Sequence, residues 1–144
     1  MKLFSIGFTQ KSAEQFFGLL QDAGVKRVVD VRLNNTSQIA GFAKSRDLQY
    51  FLRAVAGIDY VHLPVFAPTQ EILDDYKKKK GAWDAYEREF AHLIAARHMA
   101  EAGARELRDG DCLLCSEHTP DQCHRRLVAE HLQAHLPDVE VIHL

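Results

Sequence analysis

Apolar positions along the chain come as short runs alternating with longer stretches at helical spacing. Residues 2–7 (KLFSIG) read as a buried strand ended by Gly7. Ser12 and Gln15 have the S-x-x-Q form of a capping box, and Phe16, Phe17, Leu19, Leu20 and Ala23 follow at helical intervals until Gly24. Residues 25–31 (VKRVVDV) are β-branched and mostly apolar, which predicts a second strand with Asp30 and Arg32 at its carboxyl end. Ser45 is a candidate N-cap for a helix carrying Leu48, Phe51, Leu52 and Val55 and closed by Gly57. Residues 58–63 (IDYVHL) form the third strand of the pattern, with Pro64 and Pro68 marking its exit.

From residue 69 to 107 the spacing is helical throughout: Ile72, Leu73 and Tyr76, then Trp83, Tyr86, Phe90, Leu93 and Ile94, then a weaker segment. A lysine run at 77–80 and Gly81 separate the first two of these helices. Residues 111–115 (DCLLC) predict a fourth strand, 120–136 a helix and 139–143 (VEVIH) a last strand. Five short strands joined by helical connections imply an α/β fold: a mostly parallel sheet with helices on both faces, forming a single domain over residues 1–144. Ligands of such open sheets bind outside the carboxyl ends of the strands. The positions of interest therefore follow Gly7, Val31, Leu63 and Leu114.

Charge and composition narrow the function. The 144 residues hold 18 Lys+Arg against 20 Asp+Glu, a net charge of −2, which argues against a globally basic nucleic-acid binder and leaves local contacts open. No apolar run approaches the roughly 20 residues of a membrane span, and no signal-peptide pattern opens the chain. The expected location is the cytoplasm, where the three cysteines stay reduced. A chain of this size buries roughly 68–70% of its unfolded surface, so it needs neither disulfides nor a structural metal. Nothing in the pattern fixes an oligomeric state.

All three cysteines fall between residues 112 and 123, in C-L-L-C-S-E-H-T-P-D-Q-C-H-R-R. Thr119, Pro120 and Gln122 fit an N-cap, N1 and N3, so Cys115 is expected at a strand end aimed at the positive end of the following helix, which would lower its pKa. Glu117 and His124 are candidate proton-transfer groups, and Cys123 a second thiol. Cys112 and Cys115 are separated by an odd number of residues on a strand and so point to opposite faces, which argues against a Cys3His zinc site. No cofactor is expected; the alternative is a metal held by Cys115, Cys123 and His124 with an open position.

Asp30 and Arg32 project to the same side of the second strand, either as a mutual ion pair or as a pair that orients substrate. The loop after them (Asn34, Asn35, Thr36, Ser37, Gln38) is rich in hydrogen-bonding groups. Residues 24–53 hold six Lys+Arg against two Asp, a local excess of +4 that would favour an anionic ligand if it surrounds the crevice. Gly7 either allows close backbone approach or serves a tight turn, and Thr9 offers a hydroxyl. Trp83 and Tyr86 read as helix-packing anchors. No dinucleotide glycine fingerprint follows any strand, which disfavours hydride transfer.

The blocks SIGFTQKSAEQF, VVDVRLNNTSQIAGFAK, GIDYVHLP and CLLCSEHTPDQCHRRLVAEHL together resemble the family catalogued as domain of unknown function 488, over nearly the whole chain. The most specific block is C-x-E-x5-C-H-R. Phe8 departs from the family pattern, where many members carry a histidine after the first glycine. The resemblance implies a compact α/β fold and a shared pocket built on Gly7, Asp30, Arg32, Cys115, Glu117, Cys123, His124 and Arg125. The V-V-D-V-R strand end is also similar to rhodanese-like domains, although Cys115 precedes Arg125 by ten residues, too far for the tight anion cradle of cysteine phosphatases.

The leading expectation is an enzyme, a cysteine-dependent transferase or hydrolase. Cys115 would serve as nucleophile or thiolate ligand, Glu117 as general acid/base and His124 as proton shuttle, with Cys123 as partner thiol. Gly7, Thr9, Asp30, Arg32 and Arg125 would hold a small anionic, nucleotide-like substrate. The alternatives are a non-catalytic nucleotide- or metal-binding module, and rhodanese-like or phosphatase-like thiol chemistry.

Overall fold

The computed structural model describes residues 1–36 and 41–144; the predicted loop residues Ser37 and Gln38 lie outside them. Among the described residues there are five strands: β1 (Lys2–Gly7), β2 (Arg27–Asp30), β3 (Asp59–His62), β4 (Asp111–Cys115) and β5 (Glu140–His143). They form one sheet in the order β3-β2-β4-β1-β5, with every neighbouring pair parallel. The helices are α1 (Ala13–Ala23), α2 (Ser45–Phe51), α3 (Gln70–Lys77), α4 (Trp83–Ala96), α5 (Met99–Glu106) and α6 (His124–His135). The helical path of α2 continues as a π-helical turn, Leu52–Ala56, and ends at Gly57.

Local chemistry accounts for the first crossover. The Ser12 side chain accepts the Gln15 N–H while the Gln15 side chain accepts the Ser12 N–H, so the capping box forms in full, a device worth about 1 kcal/mol. Gly24 closes α1 in the left-handed conformation at φ 76°. α2 begins one residue earlier than predicted, with Lys44 at the N-cap and Ser45 as the first helical residue. The strands are shorter than their apolar runs: Val25 is held back by the α1 terminus, its N–H donating to the Leu20 carbonyl.

Strand alternation splits the core in two. Phe4, Ile6, Val28, Cys112 and Leu114 face α1 and α2, where Phe16, Phe17, Leu20, Leu48 and Leu52 pack on them. Leu3, Val29, Leu113 and Cys115 face the opposite way, against Phe90, Met99, Val128 and Leu132. The connections leaving β1 and β2 therefore cross one face, and those leaving β3 and β4 the other. β4 lies between β1 and β2, and its own connection leaves to the face opposite theirs, which opens a crevice at its carboxyl end. Backbone bonds tie the strand ends there: the Val31 N–H donates to the Leu114 carbonyl at 3.1 Å and the Thr9 N–H to the Ser116 carbonyl at 3.1 Å.

Candidate active site

The crevice is a cavity of about 340 Å³ whose lining includes Arg32, Tyr76, Lys77, Trp83, Tyr86, Cys115, Glu117, Cys123 and His124. Its chemical wall is made by the end of β4 and the start of α6. The helix begins four residues later than the predicted residue 120: Cys123 is the N-cap, and the Cys123 N–H closes a turn onto the Pro120 carbonyl at 3.2 Å. The capping-box pattern at Thr119 and Gln122 is outcompeted because tertiary contacts hold the segment before it. The turn brings Cys123 back beside Cys115.

Those contacts come from residues beneath the wall. The Ser116 carbonyl accepts both the N–H and the hydroxyl of Thr9, and the Glu117 carbonyl accepts Nη1 of Arg125 at 2.8 Å. Gly7 is needed here for close approach rather than for a turn: a Cβ on it would lie 1.5 Å from the Glu117 carbonyl oxygen. Arg125 is fully buried, and its Nε donates to Ser5 Oγ at 3.3 Å. Gly7, Thr9 and Arg125, expected at the ligand, therefore stand outside the cavity lining and brace the segment that carries its chemistry.

Cys115 Sγ lies 3.5 Å from Nδ1 of His124. Nε2 of the same ring is 2.7 Å from the Val31 carbonyl. A carbonyl only accepts, so Nε2 carries the hydrogen, and in the neutral ring Nδ1 presents its lone pair to the sulfur. The donor atoms of Cys115, Cys123 and His124 all lie within 4.8 Å of one another, and all three residues are buried. All three cysteines are free. Hydrogen bonding to Cys123 together with burial pushes the Cys115 thiol up, while the bond received from Cys115 and the neighbouring His124 and Arg125 pull Cys123 down. The thiolate tendency thus falls on Cys123, at the helix N-cap, and not on Cys115 as expected from the sequence. Cys112 belongs to the other core and burial drives its thiol up, consistent with its alternation away from Cys115.

The Asp30 and Arg32 side chains form a mutual pair, bidentate at 2.8 Å and almost wholly buried. Burial alone would raise the Asp30 carboxyl, but the bonds and charge of Arg32, with the Tyr60 hydroxyl donating at 2.6 Å, hold it below the ordinary range. Asp30 is not in the cavity lining; Arg32 is, and its buried Nη1 has no hydrogen-bond partner among the described residues. Two of the six cations behind the predicted +4 excess lie away from this edge. Arg27 begins β2 and pairs with Asp111 at the start of β4, and Lys26 is 3.8 Å from Asp109, all at the opposite end of the sheet. The end of α3 adds cations at the rim: Lys77 pairs with Glu117 at 2.9 Å, and the following Lys78 pairs with Asp74.

The opposite wall is aromatic, a feature the sequence reading missed. Trp83 stacks on Tyr86 with ring centroids 5.0 Å apart and an 18° interplanar angle, and Tyr76 meets Trp83 edge-on at 5.7 Å. The series continues inward through Phe90 to the His124 ring, 5.6 Å away. Tyr76 and Trp83 carry the same helical spacing as core residues, and only the packing of α3 against α4 turns them toward the crevice. The Lys77–Glu117 pair, which joins the end of α3 to the distant segment between β4 and α6, had no local signal.

The fold and site define the class: an all-parallel α/β domain with a thiol- and imidazole-lined crevice at the carboxyl edge of its sheet. A family model described as Domain of unknown function DUF488 matches residues 12–132, and the chain belongs to that family. No curated protein and no solved structure matches it. No helix among the described residues is long and apolar enough to cross a membrane.

Proposed function

We propose that the protein is an enzyme of group transfer or hydrolysis acting on a small, planar, anionic substrate of nucleotide-like chemistry. The observation that carries this reading is the convergence of Cys115, Cys123 and His124 on one wall of a cavity whose other wall is aromatic. About 340 Å³ falls within the range of small-ligand sites. Trp83 and Tyr76 give the cavity an aromatic lining for a base to pack against, and the unpartnered Nη1 of Arg32 supplies a donor for an anionic end. Glu117, half-exposed at the rim and paired with Lys77, would be the general acid/base of this reading. Phosphatase-like thiol chemistry is less well supported, because Arg125 lies outside the cavity and is engaged by Ser5 and Glu117.

The test is equilibrium binding of nucleoside mono- and diphosphates, with phosphorus NMR to follow turnover. Tighter binding of a nucleotide than of its nucleoside or of inorganic phosphate, with conversion abolished by alkylating the cavity thiols, is the expected result. Binding without conversion selects the non-catalytic module. Equal, negligible binding of all three probes sinks the substrate class.

A further inference from the structure

We infer that Cys115, Cys123 and His124 form a site for one divalent transition metal, zinc by its donor chemistry, with a fourth position open to the cavity. The inference rests on the crevice proposed above as the functional centre, though not on any particular reaction there. Three features of the side chains carry it.

The first is distance. Tetrahedral zinc, with Zn–S of about 2.3 Å and Zn–N of about 2.0–2.1 Å, separates a sulfur and a nitrogen ligand by about 3.5 Å. Cys115 Sγ and His124 Nδ1 are 3.5 Å apart, and the Cys123 donor lies within 4.8 Å of both. Tetrahedral zinc separates two sulfur ligands by about 3.8 Å, so the Cys123 donor has at most about 1 Å to close.

The second is the orientation of the imidazole. A metal-bound histidine typically donates its other ring N–H to a carboxylate or backbone carbonyl, which fixes the tautomer and aims the lone pair at the metal. The Val31 carbonyl, 2.7 Å from Nε2, does this here. Val31 directly follows β2, so the ligand set at the end of β4 and the start of α6 is oriented by a separate segment of the chain.

The third is the number and kind of donors. Two thiols and an imidazole are a soft set suited to zinc, and two thiolates balance the charge of a divalent ion in a buried wall. Cys112 cannot complete a closed four-ligand site, because it packs in the core on the other face of the sheet. Three protein ligands with a cavity at the fourth position is the arrangement of catalytic rather than structural zinc. The fourth position would take water or an oxygen of the bound substrate.

The test uses the full chain, freed of any affinity tag, reduced, stripped with chelator and titrated anaerobically with Co²⁺. A thiolate-to-cobalt band in the near ultraviolet and visible bands of tetrahedral intensity should grow to saturation at one equivalent and be displaced by Zn²⁺. Cys112→Ser should titrate as the unchanged protein does, and Cys123→Ala should lose about half of the thiolate band, one sulfur replacing two. His124→Ala should lose the tetrahedral visible bands.

Absence of a thiolate band in the unchanged protein overturns the inference whether or not any variant folds. So does a band that survives loss of Cys123 intact or disappears with Cys112. A protein that gives the expected spectrum but binds no nucleotide keeps the metal and loses the substrate class; one that binds nucleotide without a thiolate band loses the metal alone.

Discussion

Replacing Gly7 by alanine tests how the crevice is built, and its size can be worked from the contacts. The added Cβ would sit 1.5 Å from the Glu117 carbonyl oxygen, where a carbon–oxygen contact of about 3.3 Å or more is required. The 116–117 backbone must therefore retreat by roughly 2 Å, beyond hydrogen-bond range of its partners. The retreat breaks the charged bond from Arg125 to the Glu117 carbonyl, worth about 1.5–3 kcal/mol, and the two bonds from Thr9 to Ser116, worth about 1 kcal/mol each. Restricting the unfolded chain returns about 0.4–1 kcal/mol. The net expected loss is about 3–4 kcal/mol, a large share of the roughly 5–15 kcal/mol typical of a domain. Equilibrium urea unfolding followed by circular dichroism measures it. The control is Gly18→Ala inside α1, where a Cβ meets nothing within 4 Å and helix propensity should add about 0.5–1 kcal/mol. A Gly7→Ala protein within about 1 kcal/mol of the parent would refute the claim that this glycine exists for the Glu117 carbonyl.

Two further outcomes follow from the same geometry. Because the folded-state pKa of Asp30 is depressed, its contribution is complete above the unfolded carboxyl pKa of about 3.9 and is lost as pH falls through the folded value. Asp30→Asn should destabilise by about 3–5 kcal/mol at neutral pH, by stranding the buried Arg32, and flatten the acid limb of the stability profile; an acid limb parallel to the parent's in urea titrations between about pH 5 and 3 would remove this account. Trp83→Ala should weaken nucleotide binding by about 1–3 kcal/mol, roughly 5- to 150-fold, if a base stacks on the indole. Calorimetry showing unchanged affinity would place the base elsewhere.

Much of the architecture was legible because local rules and tertiary packing agree. The Ser12 capping box, the Gly24 terminus and the β-branched run of β2 each specify one local structure, and parity along β4 already separated Cys112 from Cys115. The failures share a cause: a distant partner decides the local outcome. Thr119-Pro120 satisfies the rules for a helix start, yet Thr9, Arg125 and Gly7 hold the preceding backbone, so the helix waits until Cys123. The cations of residues 24–53 looked like one field, but two of them lie at the far end of β2 and meet Asp109 and Asp111. Of the predicted site, Cys115, Glu117, Cys123, His124 and Arg32 share the cavity because strand-end position can be read from sequence. The aromatic wall escaped because ring spacing on a helix does not say whether the rings face a core or a crevice.

Because β4 is central, the sheet cannot close until a late part of the chain is in place. β1 and β2 have no contact as neighbours; Leu3 and Arg27 each find Asp111 as their partner, and the strand that unites them is synthesised near the end of the chain. A nascent chain halted before residue 111 holds β1 and the β2–β3 pair with unpaired edges where β4 will lie, with α1 and α2 available to cover one face and α4 and α5 the other. Closing the sheet means threading β4 into that gap, a non-local step of the kind that slows folding. Cys115 ends the inserted strand, and Cys123 and His124 begin the helix after it. The His124 ring is held by the Val31 carbonyl beside β2, so the complete arrangement of thiols and oriented imidazole requires β4 to be seated between β1 and β2.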